Sequence, residues 1–121
     1  MTARTARTGQ QAGGADDLDP VVERTFERHT AAGVSEVRLV LGRPAPDPAD
    51  RGDWRCRVVI TGLPDPVDRH AYGIDALQAL ALAIEMAAAD LRYARLPAGE
   101  RVTFLDGPDL GLPRLPAPDA A

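Results

Sequence analysis

Apolar and polar residues alternate along three stretches in the first half of the chain. This alternation predicts β-strands over residues 21–29, 34–41 and 54–61, because successive side chains of a strand point to opposite faces of a sheet. Residues 69–72 are suited to a short fourth strand. Residues 101–105 predict an extended segment that returns to the sheet after a helix.

Glycine and proline separate these strands. The segment 42–53 holds three prolines and two glycines, so it predicts a long loop without a regular element. Shorter turns are expected at residues 31–33 and 62–66. Because the connections are short, the strands should form an antiparallel meander.

The period of the pattern changes from two to 3.6 after Gly73. Asp75 has the character of a helix N-cap, and Gln78 three residues later completes a capping box. Alanine and leucine then dominate as far as Leu96, where Pro97 stops the helix. The pattern therefore predicts a helix of about twenty residues, roughly 30 Å long.

Two apolar stripes run along this helix. The first is expected to lie on the sheet, and its members are Leu77, Leu80, Ile84, Ala87 and Leu91. The second includes Leu82, Met86 and Tyr93 on one flank. Either the C-terminal segment around Phe104 and Leu105 covers this flank, or the flank meets a partner, since exposed apolar patches usually mark interaction sites.

These elements predict an α+β domain: a three- to four-stranded antiparallel meander, one long C-terminal helix packed on one face, and a short extended return segment. We expect the domain to span residues 20–113. Residues 1–19 are polar and glycine-rich, and residues 114–121 are rich in proline and alanine, so both are expected to be disordered tails.

Composition excludes several classes of protein. The 121-residue chain has a net charge of −4 and one cysteine, which argues against a nucleic-acid binder, a disulfide framework and a multi-cysteine zinc site. We predict that Arg38, Arg55 and Arg57 line the outer sheet face beside Glu36 and form cross-strand ion pairs there. The alternative, a binding face for an acidic protein or RNA, is less favoured because no aromatic residue is interleaved with these arginines. Residues 1–19 lack the apolar core of a signal peptide, so a cytoplasmic location and no membrane contact are expected.

The chain offers few groups for catalysis. Cys56 shares a strand face with Trp54 and Val58, which indicates a buried thiol, although His70 before the helix is placed to approach it. His29 and His70 have no metal-ligand spacing. No phosphate-binding loop, dinucleotide turn or zinc-protease motif occurs. We therefore predict no catalytic residue, no metal and no cofactor.

Two functions are favoured over a third, an RNA or DNA accessory factor that binds through the arginine face. The first is a non-enzymatic protein-interaction domain, immunity-like or regulatory, that binds another protein or dimerises through Leu82, Met86 and Tyr93. The alternative is a small-molecule-binding protein with a pocket between the helix N-terminus and the sheet, because a helix N-terminus favours anions. The candidate pocket residues are Trp54, His70, Tyr72 and Gln78.

Three short segments carry a resemblance to a known family. They are Trp54-Arg55-Cys56 on a strand, G-I-D-A-L-Q-A-L at residues 73–80 and D-L-G-L-P at residues 109–113. They resemble small bacterial domains of unknown function with a Trp-x-Cys strand, a G-[IV]-D-x-[LV]-Q-A-L helix start and a D-L-G-[FL]-P end. The resemblance covers most of residues 20–113 and implies the domain boundaries and the fold. It implies no activity or ligand, and the immunity-like role is an analogy at the level of fold.

Overall fold

A computed structural model describes residues 18–49 and 52–113 of the chain. The predicted tails at residues 1–19 and 114–121 lie outside these ranges, apart from Leu18 and Asp19. Asp19 is tied to the sheet, because its carbonyl accepts a hydrogen bond of 2.9 Å from the Arg43 amide. Its carboxylate also pairs with the Arg43 guanidinium at 2.7 Å.

The described residues form an antiparallel sheet of six strands, with a helix on one face. The prediction of an α+β fold is therefore confirmed, but three to four strands was too few. The elements are β1 (Pro20–Thr30), β2 (Gly33–Gly42), β3 (Ala45–Pro46), β4 (Trp54–Thr61), β5 (Val67–Gly73), α1 (Ala76–Arg92) and β6 (Arg101–Thr103).

Strand β4 is the centre of one half of the sheet. β5 pairs with β4 from Ile60 to Trp54, and β2 takes the other side of β4 from residues 58 to 61. β3 then continues on the β2 side, opposite Trp54 and Arg55. On the far side of β2, β1 pairs with β2 and β6 pairs with β1. The sheet therefore ends in β5 at one edge and β6 at the other.

Strand β3 lies inside the segment predicted to be an irregular loop, so that prediction was wrong at Ala45 and Pro46. Two residues pair there because β2 pairs only with residues 58–61 of β4, so residues 54 and 55 on the same side of β4 are available to β3. A proline is accepted at such a position where its missing N–H is not needed by a neighbour.

Helix α1 starts as predicted but ends early. The Asp75 side chain caps it by accepting from the Gln78 amide at 2.8 Å. The helix ends at Arg92 rather than at Leu96, because the Pro97 ring would clash with the carbonyl of Tyr93 four residues before it. No helix among the described residues combines the length and apolarity needed to cross a membrane.

Alanine, rather than leucine, makes the close contact between helix and sheet. The helix residues buried most deeply are Ala79, Ala83, Ala87, Ala88 and Leu91. Leu77, predicted to face the sheet, is 75% exposed, while Leu80 and Ile84 are half-buried at the margin of the core. The helix is rotated by roughly 40° from the predicted orientation, because small side chains let it approach β4 and β5 closely.

The C-terminal segment covers the half of the sheet that the helix leaves open. The Phe104 ring packs on Phe26 with ring centroids 5.6 Å apart, and Leu110 is buried. Arg24 fastens the segment by donating to the carbonyls of Leu110 and Gly111 at 3.1 and 3.0 Å. Its guanidinium also lies 4.2 Å from the centre of the Phe104 ring, a cation–π contact.

Candidate functional site

The edge strand β5 is open to pairing. Its ladder with β4 runs from Val67 to Gly73 without a register shift, and no strand within the described residues pairs with its other side. Proteins usually blunt sheet edges with prolines, bulges or short strands. β5 contains no proline and no bulge and is seven residues long, whereas β6 at the opposite edge has only three residues.

An apolar flank of α1 runs beside this edge. Leu82 is 37% exposed there, and Met86 is half-buried against the core. Together with β5 they form a shallow hollow of about 520 Å³, which we call the edge groove. Its lining is His70, Ala71, Tyr72, Leu82, Glu85, Met86 and Ala89.

Of the three residues predicted for an interface, two line the edge groove, and Tyr93 lies beside it. Tyr93 is 76% exposed and lines a neighbouring hollow of about 230 Å³ that also contacts Ala89. The described part of the C-terminal segment runs along the opposite flank of α1, where Leu112 and Ile84 line one hollow. Leu82 and Tyr93 therefore keep exposed apolar surface on the β5 side.

The structure only partly brings together the four predicted pocket residues. His70 and Tyr72 both contribute to the lining of the edge groove. Their rings, with centroids 6.2 Å apart, lie on the sheet face away from α1, because they alternate with Ala71. Trp54 packs against the core and is not part of the groove lining. Gln78 is also outside the groove, and its side-chain oxygen accepts a 2.7 Å hydrogen bond from the Ile74 amide as part of the helix cap.

Ion pairs neutralise the two charged residues of strand β5 beside the edge groove, whereas Glu85 of α1 also lines the groove. Arg57 makes two hydrogen bonds to the Asp68 carboxylate, at 2.8 and 2.7 Å, and this pairing lowers the pKa of Asp68. Arg69 pairs with Asp90 of α1 at 2.5 Å. The strand therefore presents little net charge at its open side.

The two other arginines predicted on the outer sheet face also have acidic partners. Arg38 pairs with Glu23 of β1, and Arg55 lies 3.8 Å from Asp47. These contacts form the ladder of ion pairs that the sequence pattern predicts.

Cys56 and His70 do not form a nucleophile–base pair. Cys56 is fully buried, donates a hydrogen bond to the Gly42 carbonyl at 3.2 Å, and has its pKa raised by burial. In the ladder between β4 and β5, Cys56 lies opposite Ala71, whereas His70 lies opposite Arg57. Adjacent residues of a strand point to opposite faces, so the thiol and the imidazole lie on opposite sides of the sheet.

A second polar cluster lies at the other end of the sheet and was not predicted. The Thr103 hydroxyl donates to Glu27 Oε1 at 2.7 Å, and His29 Nε2 lies 2.8 Å from the same hydroxyl oxygen. Since the hydroxyl proton goes to the carboxylate, the imidazole is the donor in the second bond. Glu27 also accepts from the Asp106 amide at 2.9 Å.

The hydrogen bonds to Glu27 lower its pKa, the Asp106 amide having the largest effect and the Thr103 hydroxyl the next. The order of groups is not that of a nucleophilic triad. In such a triad the imidazole lies between the hydroxyl and the carboxylate. Here the hydroxyl stands between them, so its proton is not available to a histidine base. Glu27 and His29 are two residues apart on a predicted strand, which was the one sequence signal for this cluster.

The turn that brings Asp106 to Glu27 has an unusual backbone. Phe104 and Gly107 exchange two backbone hydrogen bonds of 2.9 and 3.0 Å across a two-residue loop. Leu105 and Asp106 have φ values of 52° and 65°, as a type I′ turn requires. Leucine disfavours this conformation, and its side chain is 78% exposed.

Taken together, the fold and its surfaces define a small α+β domain with one antiparallel sheet, an open sheet edge and no assembled catalytic group among the described residues. The chain belongs to the family described as "Domain of unknown function (DUF6968)", whose family model matches residues 22–114. This confirms the predicted membership of a family of small domains of unknown function. No curated protein and no solved structure matches the chain.

Proposed function

We propose that this protein is a non-enzymatic interaction domain that self-associates through β5 and the edge groove. The observation that carries the proposal is the seven-residue edge strand without a bulge, which lies beside an apolar helix flank. Such an edge is a template for another strand, and an added strand that also covers the flank buries apolar surface.

The spacing of the elements favours a second copy as the occupant. Helix α1 packs mainly on β4 and β5, so its axis lies near the line between them. With strands about 4.8 Å apart, a two-fold axis at the open side of β5 would place the two helices about 9.6 Å apart. Packed helices are typically 8–10 Å apart, so strand pairing and helix packing are satisfied by the same arrangement.

Symmetry also matches the chemistry of this surface. A two-fold axis normal to the sheet pairs β5 with its copy in the antiparallel sense and keeps both helices on one side. Leu82 and Met86 of one copy then face the same residues of the other. The charges of Asp68 and Arg69 are already neutralised by Arg57 and Asp90, so the two edges approach without a large repulsion.

The poverty of reactive groups supports a role without catalysis. The single thiol is buried with a raised pKa, which disfavours the reactive thiolate. The only serine, Ser35, is on β2 opposite Arg28, and no base contacts it among the described residues. The Thr103 hydroxyl donates its proton to a carboxylate.

The test is the solution mass of the full chain by light scattering over a concentration series. We expect a dimer for the wild type and a monomer for Leu82→Asp and Met86→Asp, because a charge in the seam would be buried without a partner. Leu77→Asp is the matched control: the same substitution on the same helix, at a residue that is 75% exposed on the opposite flank. It should remain dimeric.

A wild-type chain that stays monomeric at high concentration would refute self-association. A dimer that survives both Leu82→Asp and Met86→Asp would show that copies meet through another surface. Circular dichroism of each variant separates loss of association from loss of folding.

A further inference from the structure

We propose that Glu27, His29 and Asp106 form a binding site for a divalent transition-metal ion. Glu27 and His29 lie on one face of β1, and Asp106 is on the turn that follows β6. One ligand atom from each, a ring nitrogen and two carboxylate oxygens, lie within 4.8 Å of one another. This site is remote in sequence and fold from the edge groove, so it is independent of the proposed self-association.

The donor set fits a borderline metal ion. An imidazole nitrogen with two carboxylate oxygens suits Zn²⁺ or Mn²⁺, whereas Mg²⁺ and Ca²⁺ favour sites made only of oxygen. Metal–ligand bonds of about 2.1 Å require ligand atoms 3–4 Å apart. The ion must therefore draw the groups slightly closer. Asp106 is exposed on a turn and has the freedom to move.

The local charge also favours a cation. Glu27 lies directly opposite Glu36 in the ladder between β1 and β2, and like charges opposite each other destabilise a sheet. Arg101 lies across from His29 and supplies one positive charge. With Asp106, three carboxylates lie here beside Arg101 and Arg38, the second of which interacts with Glu36, and a divalent ion would offset the remaining negative charge.

Two of the ligands are already held in place. The Thr103 hydroxyl bridges Glu27 Oε1 and His29 Nε2, at 2.7 and 2.8 Å, and Thr103 itself is buried. Because Nε2 donates its proton to Thr103, Nδ1 is the ring nitrogen left to bind the ion. Groups that hydrogen-bond to metal ligands and hold them in position raise the affinity for the metal, because the ligands lose less conformational freedom when the metal binds.

The experiment is calorimetric titration of the full chain with ZnCl₂ and separately with MnCl₂ at pH 7.5. We expect one site per chain, with Zn²⁺ bound more tightly than Mn²⁺. Asp106→Asn should weaken binding at least about tenfold, because the substitution keeps the turn, which accepts asparagine, but removes a ligand charge. The matched control is Asp109→Asn, which removes the same charge nearby and keeps an oxygen for the Gly111 amide.

A second measurement does not depend on any variant. In the wild-type chain, substoichiometric Mn²⁺ should broaden the ring proton signals of His29 in the NMR spectrum and leave those of His70 sharp. The proposal is overturned if millimolar Zn²⁺ gives no heat, if Asp106→Asn binds as tightly as the control, or if broadening occurs at His70 instead.

Discussion

The orientation of helix α1 can be tested by two substitutions that the sequence pattern and the structure rank in opposite order. Ala83 is fully buried between helix and sheet, whereas Leu77 is 75% exposed. The hydrophobic pattern alone places Leu77 on the sheet and does not include Ala83 in the stripe that faces it. We therefore compare Ala83→Leu with Leu77→Ala.

The magnitudes follow from burial. Ala83→Leu adds three carbon atoms where the helix backbone approaches β4 and β5, and overpacking of this kind costs about 1–3 kcal/mol. Helix propensity hardly changes, since leucine and alanine are both strong helix formers. For Leu77→Ala, only about a quarter of the side chain leaves a packed position. Full burial of leucine contributes about 1.5–3 kcal/mol, so the expected cost is near 0.5 kcal/mol.

The assay is urea denaturation of both variants and the wild type, followed by circular dichroism at one fixed protein concentration. A fixed concentration is needed because association shifts apparent stability. For a domain of this size, 1 kcal/mol corresponds to a shift of about 4–8 °C in the melting temperature, so heat denaturation gives a second reading. Ala81→Leu, at an exposed position of the same helix, controls for the effect of the added leucine alone.

The reasoning is refuted if Leu77→Ala destabilises the protein more than Ala83→Leu does. A cost of about 2–5 kcal/mol for Leu77→Ala would be that of a fully buried leucine. It would restore the orientation that the sequence pattern predicts.

Three further substitutions test the backbone and the Glu27 cluster. Leu105→Gly should stabilise the protein by about 1 kcal/mol in urea denaturation, because glycine adopts a φ of 52° without strain. A variant of equal or lower stability would contradict the inference that Leu105 is strained. Gly73→Ala should cost more than about 2 kcal/mol by the same assay, since a Cβ there would lie 2.5 Å from the Ala79 amide nitrogen. Glu27 has a pKa lowered below its ordinary 4.5, chiefly by the Asp106 amide, so its stabilising effect is present above that pH and is lost as pH falls through the folded value. Glu27→Gln should therefore flatten the fall in stability between pH 5 and 3, and an unchanged slope would assign that fall to other groups.

Local signals predicted the parts of the fold that depend on local geometry. The alternation around β4 identified a strand, and Asp75 with Gln78 marked the start of the helix, because a cap involves residues only three apart. Pro97 fixed the end of the helix only approximately. Its effect acts on the residue four positions earlier and not just on its neighbour.

The remainder depended on packing and register, which the pattern does not contain. Whether leucine or alanine faces the sheet is decided by how closely the helix approaches, and Ala79 and Ala83 allow a close approach. His29 and Thr103 meet although they are 74 residues apart, because β6 pairs with β1. The flank of Leu82 and Met86 was recognised because its spacing is local, but its position beside β5 was not.

The pairing of the first strand with the last also bears on how the chain folds during synthesis. One side of β1 pairs with β6, and His29 and Thr103 in these strands are 74 residues apart. At 5–20 residues per second, translation of that interval takes about 4–15 s. Until Arg101–Thr103 and the segment after it emerge, one side of β1 and the ring of Phe26 lack their native cover. A nascent chain that stalls after the helix would therefore display a second unpaired strand, and we expect prompt synthesis of residues 101–113 to limit aggregation on the ribosome.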